Sequence, residues 1–143
     1  MASSAGLSNR VHVLDFVEYE RLREVLPSAD LGLAIYRRES DLNKIHQATA
    51  SVKLMEYFAA GIPAVASNAP DFAAVADVFG GISTATTNEP AAIAAAIRQA
   101  FASDERYKEL SCQALRAHRE VFHYERQYAE VLLIMDEAKG SSR

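Results

Sequence analysis

Short apolar runs alternate with helical patterns along the first two-thirds of the chain, and this alternation restricts the fold more than any other feature. Residues 11–16 alternate apolar and polar side chains, which predicts a half-buried strand. Residues 31–36 are continuously apolar, which is typical of a strand covered on both faces. Residues 64–66 predict a short buried strand, and residues 82–85 a last strand.

Helical patterns occupy the stretches between these runs. Apolar residues recur at helical spacing from 22 to 29. Residues 51–60 predict a helix that stops at Gly61, because glycine accepts the left-handed conformation that closes a helix, and Pro63 cannot prolong it.

The second half of the chain is predicted to be mostly helical. Residues 70–79 predict a helix with Ser67 or Asn68 near its cap. From Pro90 onward three apolar stripes follow at helical spacing. Their members are Ile93, Ile97 and Phe101; Leu110, Ala114, Ala117 and Val121; and Tyr124, Tyr128, Val131, Leu132 and Met135.

Strands that alternate with helical crossovers indicate a parallel sheet covered by helices. The pattern therefore predicts a doubly wound α/β domain that ends in two or three helices. We place this domain at residues 9–138. The small, polar ends, residues 1–8 and 139–143, are expected to be flexible.

Composition excludes several classes of protein. The 143 residues suit one domain, and half of them are apolar. A net charge of −4 argues against nucleic acid as the main partner. Cys112 is the only cysteine, so an internal disulfide and a cysteine-rich metal site are excluded, and its helical setting favours a structural thiol. The sequence shows no membrane-spanning run and no signal peptide, which favours a cytoplasmic protein.

Residues 49–67 hold the candidate chemistry. Helix starts expose N–H groups that favour phosphates, and Thr49 and Ser51 can either cap the helix or donate to a phosphate. Glu56 lies one turn further in among apolar neighbours, so it should have a specific partner. The two hydroxyls of a ribose would suit this carboxylate.

The same segment resembles the nucleotide-sugar segment of the group-1 family of GT-B glycosyltransferases. The resemblance extends over residues 9–136 and is most specific at 53–67. The matching pattern is Lys53-x-x-Glu56-Tyr57-x-Ala59-x-Gly61-x-Pro63-x-Val65-Ala66-Ser67. It implies a Rossmann-like parallel sheet with helices on both faces, part of the C-terminal, donor-binding domain of that architecture.

The resemblance also implies a function. The chain would be the donor-binding part of an enzyme that transfers a sugar from a UDP-, GDP- or ADP-sugar to a saccharide or lipid acceptor. Such a role fits polysaccharide biosynthesis in the cytoplasm, or at the inner membrane in the full-length enzyme. Neither a metal nor another cofactor is expected.

Residue roles follow by position. Glu56 would accept hydrogen bonds from the ribose, and residues 49–51 (Thr49, Ala50 and Ser51) would approach the diphosphate. Lys53 is expected either to contact a phosphate or to pair with Glu56 on the same helix.

The loop of residues 37–47 would lie beside the sugar. Arg37 and Arg38 are expected to be solvated, with a diphosphate contact as the alternative. His46 is expected to be exposed rather than catalytic.

The chain departs from the family pattern in two ways. Ala48 stands where many members carry an additional glutamate. The family's first two strands and its acceptor-binding domain have no counterpart upstream of Asn9, so we expect a partial domain that is inactive alone. A gap should then separate the strands at 11–16 and 31–36, and another copy of the chain would close it, which predicts self-association.

Two side-chain pairs near the C-terminus favour structural roles. His118 and His123 are five residues apart, so we do not expect them to share a helix face or to bind a metal together. Tyr124 and Tyr128 do share a face, where an aromatic stripe usually belongs to the core.

Two other functions stay open at this point. One is a nucleotide-sugar epimerase on the same architecture. The other is a non-catalytic α/β module that acts by protein contact. Glycine-rich dinucleotide and phosphate-loop motifs are absent, which disfavours dehydrogenases and phosphate-loop nucleotidases.

Overall fold

The computed structural model describes residues 6–7, 9–36, 48 and 51–140. Within these ranges, helices and short strands alternate as the sequence predicts. In chain order the elements are α1 (Tyr19–Val25), a 3-10 turn (Leu26–Ser28), β1 (Gly32–Ala34), α2 (Val52–Ala59), β2 (Ala64–Ala66), α3 (Pro70–Phe79), β3 (Ile82–Thr84), α4 (Pro90–Ala100), α5 (Asp104–Ala117), a π-helical turn (His118–Phe122), α6 (Tyr124–Gln127) and α7 (Ala129–Gly140).

The three strands form one parallel sheet in the order β1-β2-β3. The register places Gly32 beside Ala64, and Ala64 beside Ile82. Parallel neighbours require helical crossovers, and α2 and α3 are those crossovers. The predicted α/β, Rossmann-like class is therefore confirmed.

Helices cover both faces of the central strand. Ala64 and Ala66 belong to a core that includes Phe58 of α2 and Phe72 of α3. The intervening Val65 points to the opposite face and packs in a second cluster with side chains of α4. Because successive strand residues face opposite sides, the three residues of β2 contribute to the hydrophobic clusters on both faces of the sheet.

Two local predictions about helix ends have different outcomes. Gly61 follows α2 with a φ of 70°, so the predicted left-handed stop is confirmed. The cap predicted for α3 is wrong: Ala69 is the N-cap and gives no side-chain hydrogen bond. Ser67 instead bonds to the end of β1, as described below.

The strand predicted at residues 11–16 does not form. This stretch pairs with no other strand of the described chain, and Val13 and Phe16 are 91% and 87% exposed. A segment with alternating apolar and polar residues forms a strand only where a neighbouring strand supplies hydrogen bonds. Consequently the predicted gap between two strands does not occur among the described residues, where β1 is an edge of the sheet.

The strand predicted at residues 31–36 is shorter than expected, and its second face is only partly covered. β1 keeps three of these residues, with Gly32 and Ala34 buried and Leu33 45% exposed. Leu31 and Ile35, two residues to either side of Leu33, are partly buried and pack in the cluster of Val65 and Ala96 of α4. The prediction that both faces are covered therefore holds at Leu31 and Ile35 and fails at Leu33.

The ring of Tyr57 lies against the backbone of β1. A Cβ atom placed on Gly32 would collide with this ring, so only glycine fits there. Burial raises the pKa of Tyr57, a backbone hydrogen bond with Leu33 opposes the rise, and the nearby Tyr36 and Glu56 add to it. The side chain therefore stays a neutral phenol that packs on the edge strand.

Two predictions about the C-terminal helices are wrong. Tyr124 and Tyr128 stack at 4.5 Å between ring centroids, yet both are exposed instead of forming core. His118 and His123 do contact each other, with ring centroids 5.3 Å apart. The reason is the π-helical turn at His118–Phe122, since a π-helix brings residues five apart together.

Cys112 lies in α5 as predicted, but it is exposed.

Candidate functional site

Polar groups gather beyond the carboxyl ends of the three strands, where open α/β sheets bind ligands. Tyr36 follows β1, and its N–H donates to Ser67 Oγ at 2.6 Å. Ser67 Oγ in turn donates to the Tyr36 carbonyl at 3.1 Å. Asn88, which follows β3, donates from Nδ2 to the same carbonyl at 3.0 Å. One carbonyl thus joins the ends of all three strands.

The start of α2 is fixed to this edge. Ser51 is the N-cap residue, and its Oγ accepts the Leu54 N–H at 3.2 Å. The same oxygen lies 2.8 Å from the Tyr36 hydroxyl. Ser51 is buried, so both contacts are shielded from water. The first N–H groups of α2 therefore lie beside the carboxyl end of β1.

Lys53 lies in the first turn of α2 and is exposed. Its Nζ is 5.1 Å from the centroid of the Tyr36 ring, within cation–π range. Phe72 stacks on the same ring, with 5.8 Å between the ring centroids. Among the described residues no ion pair joins Lys53 to Glu56, so the predicted alternative of a helix pair is not formed. The ammonium group therefore stands over the strand ends.

Glu56 lies one turn along α2 from Lys53 and is half-buried. It lines a cleft of ≈ 240 Å³ between α2 and α1 with its following turn. Its carboxylate makes no hydrogen bond or ion pair with another described side chain. Residues three apart on a helix are neighbours on its surface, so the Glu56 cleft adjoins the Lys53 site.

Several predicted site residues lie outside the described residues: Arg37, Arg38, His46, Thr49 and Ala50. The one described residue between them, Ala48, is fully buried and its N–H donates to Asp71 Oδ2 at 2.7 Å. The carboxylate of α3 therefore fixes the chain just before α2. Where the family resemblance expects a second glutamate, this chain has a buried methyl group.

Sequence reasoning missed the residues that surround the predicted ones. The sequence patterns placed Tyr36 at the end of an apolar run and assigned no role to Asn88. They also assigned no role to Tyr19 and Arg23, which line the Glu56 cleft. A tyrosine and an asparagine just after buried strands were the available signal, because those positions face the ligand edge.

The described residues contain no group of three His, Cys, Asp or Glu side chains arranged to hold a metal ion. No helix in the described ranges is long and apolar enough to cross a membrane.

A parallel sheet covered by helices, with a capped helix start, a lysine and a carboxylate near its carboxyl edge, defines a Rossmann-like domain. The comparison with protein families identifies which one. Residues 1–103 match the family described as glycosyl transferases group 1, and the chain therefore belongs to that family. Comparisons with curated proteins and with solved structures gave no match.

The matched range contains the sheet, α2 and the Glu56 cleft, and it ends just before α5. Glycosyl transfer is the general function that this membership supports. The part of the predicted resemblance that lies beyond residue 103, up to residue 136, falls outside the matched range.

Proposed function

We propose that the chain binds the donor of a glycosyl transfer, a nucleoside-diphosphate sugar, at the carboxyl edge of its sheet. The observation that carries the proposal is the arrangement on α2: Ser51 caps the helix at the strand ends, Lys53 follows in its first turn, and Glu56 faces the adjoining cleft. One helix thus presents phosphate-binding and ribose-binding groups in sequence.

The diphosphate would lie at the start of α2. The first N–H groups and the positive end of the helix dipole favour an anion there, and Lys53 adds a full positive charge on the same side. Thr49, Ala50 and Arg37 are proposed as further contacts on the adjoining segments.

Glu56 would hold the ribose. A carboxylate accepts only, and a ribose diol offers two hydroxyl donors, so the two groups are complementary. No hydrogen bond or ion pair with another described side chain occupies the Glu56 carboxylate, and its cleft opens beside Lys53. A ligand that spans the Lys53 and Glu56 positions would place its phosphates one helical turn from its ribose.

The chemical role of this site would be to stabilise the leaving group. When the glycosyl bond breaks, negative charge develops on the nucleoside diphosphate. Donors that are already oriented stabilise such charge without reorganising. The α2 N–H groups are oriented in this way, because Ser51 and the Tyr36 hydroxyl fix the helix start. The acceptor would be a saccharide or a lipid.

The test is calorimetric titration of the folded chain with UDP, GDP and ADP, repeated on Glu56→Ala. We expect binding of at least one nucleotide and a loss of about 1–3 kcal/mol of binding free energy in the variant, as for a charged hydrogen bond. Glu20→Ala is the matched control, since Glu20 carries the same charge on α1 but does not line the cleft. Equal affinities of wild type and Glu56→Ala, with both folded, would refute the ribose role.

A further inference from the structure

α1 and the turn after it form one wall and the rim of the cleft beside Glu56. α2 contributes Ala59 and Ala60 next to Glu56, and the opposite wall is apolar, formed by Leu22, Leu26 and Pro27. Two residues of α1 stand on the rim, Tyr19 and Arg23. The cleft is thus apolar inside, with a carboxylate on one side and an aromatic ring and a guanidinium on the other.

The size of the cleft restricts what part of a ligand it holds. Sites for whole drug-sized ligands occupy roughly 300–1,000 Å³, whereas this cleft has ≈ 240 Å³. It therefore suits one flat ring system attached to a sugar rather than a complete nucleotide sugar. Since Lys53 and the start of α2 lie beyond it, the phosphates of such a ligand would remain outside the cleft.

Tyr19 and Arg23 form a pair on the rim. The guanidinium carbon of Arg23 lies 6.0 Å from the centroid of the Tyr19 ring, and the tyrosine is 54% exposed. An exposed ring beside an apolar wall is a surface on which a base can stack. The guanidinium is held near the same place by its contact with the ring.

Arg23 differs from its neighbour Arg21 in what it contacts. Arg21 pairs with Glu24, with 2.7 Å between nitrogen and oxygen. Within the described part of the chain, no carboxylate pairs with Arg23, and it faces the cleft instead. Its donors are therefore available to a ligand.

We propose that this cleft binds the nucleobase of the donor and that Arg23 selects guanine. Arginine has five N–H donors and no acceptor. Guanine offers two adjacent acceptors, O6 and N7, which match the fork of the guanidinium. Adenine places an amino donor beside N7, and a uracil-type edge has O4 but no second acceptor atom beside it, so neither base matches both arms of the fork. Tyr19 stacks on the base and Glu56 holds its ribose.

This inference rests on the proposed function, because it assigns the base of the same donor. The test is titration of the full chain with GDP, ADP and UDP, for the wild type and for Arg23→Ala, Arg23→Lys, Tyr19→Ala and Arg21→Ala. We expect GDP to bind at least about fivefold more tightly than the other two, which corresponds to the lower end for a bidentate base contact.

The variants have distinct expected results. Both Arg23 variants should remove the preference for GDP, including Arg23→Lys, which keeps the charge and loses the fork. Tyr19→Ala should weaken all three nucleotides about equally, because stacking tolerates any base. The control Arg21→Ala should change neither affinity nor preference.

Two results would overturn the inference, and they differ in what else they exclude. If Glu56→Ala weakens binding but the Arg23 variants leave the order of the nucleotides unchanged, the donor site stands and the base does not occupy this cleft as proposed. If the folded wild type binds none of the three nucleotides, the donor site itself is excluded together with the base assignment.

Discussion

The hydroxyl oxygens of Tyr36 and Ser51 lie 2.8 Å apart, which ties the carboxyl end of β1 to the first turn of α2. Ser51 Oγ also accepts the Leu54 N–H, so one buried oxygen both caps the helix and fixes its position. The candidate phosphate site depends on this contact, because the N–H groups of α2 have a defined direction only if the helix start is held.

Replacing Ser51 is expected to affect both stability and binding. Ser51→Ala removes the cap, which costs about 1 kcal/mol, and it leaves the Tyr36 hydroxyl without its partner. Urea denaturation should show the lower free energy of unfolding, and titration should show weaker nucleotide binding. Ser103→Ala is the control, since Ser103 caps α5 with the same geometry away from the site. A loss of nucleotide affinity in the control as large as in Ser51→Ala would contradict the role assigned to Ser51.

Lys53 is expected to contribute to phosphate binding and little to folding. Lys53→Gln should lower the affinity for a nucleoside diphosphate while leaving the free energy of unfolding within about 0.5 kcal/mol of the wild type, as for most surface changes. The loss should diminish at high salt, because salt screens exposed charges. Titrations at low and high ionic strength would check this, and a salt-independent difference would contradict a charge contact.

The Gly32 position should tolerate no side chain while Tyr57 is present. Gly32→Ala would push a methyl group into the Tyr57 ring, and overpacking of this kind costs about 1–3 kcal/mol. Tyr57→Leu should also destabilise, but the double variant should lose less than the sum of the two single variants, because the collision is removed. The free energies of unfolding of the four proteins form a double-mutant cycle. Strictly additive losses would show that the ring and the glycine do not interact.

Stability is expected to fall on mild acidification through His118. Burial lowers the pKa of this histidine, and the nearby His123 and Arg119 lower it further. Its Nδ1 is buried without a hydrogen-bond partner among the described residues. The unfolded chain therefore binds the proton more readily, and the contribution to stability that is present above about pH 6.5 is lost as the pH falls toward the lower folded pKa.

The measurement is the free energy of unfolding across this range for the wild type and for His118→Gln. The variant should lose less stability on acidification than the wild type, since carboxylates elsewhere act in both proteins. His12→Gln, which alters an exposed histidine in the unpaired N-terminal stretch, should follow the wild-type curve. Identical slopes for wild type and His118→Gln would exclude His118 as the source.

Self-association remains a prediction, and α7 is the surface we propose for it. Five consecutive apolar residues of this helix are exposed, and they are Val131, Leu132, Leu133, Ile134 and Met135. Contiguous exposed apolar surface of this kind commonly marks an interaction site. Light scattering should give a mass above that of one chain at high concentration, and the double variant Leu133→Ser/Ile134→Ser should lower it. A strict monomer at all concentrations would contradict the proposal.

Local sequence patterns predicted the helices of the crossover region closely. The apolar spacing and the glycine stop placed α2 within residues 51–60, where the structure has Val52–Ala59, and α3 was predicted with its observed bounds. These features depend on contacts within one or two turns and on the conformational freedom of single residues such as Gly61. The local sequence therefore determines where these helices begin and end.

The tertiary structure decided which of these elements meet. The alternating residues 11–16 have a strand pattern but no strand beside them, so they remain unpaired. The ammonium of Lys53 lies over Tyr36, 17 positions earlier in the chain, instead of pairing with Glu56 on its own helix. His118 and His123 meet because a π-helical turn between them brings residues five apart together. Periodicity fixes which face of an element is apolar, but it holds no information about the partner that covers that face. That choice depends on packing between segments far apart in the chain, which brought Tyr19 and Arg23 to the cleft of Glu56.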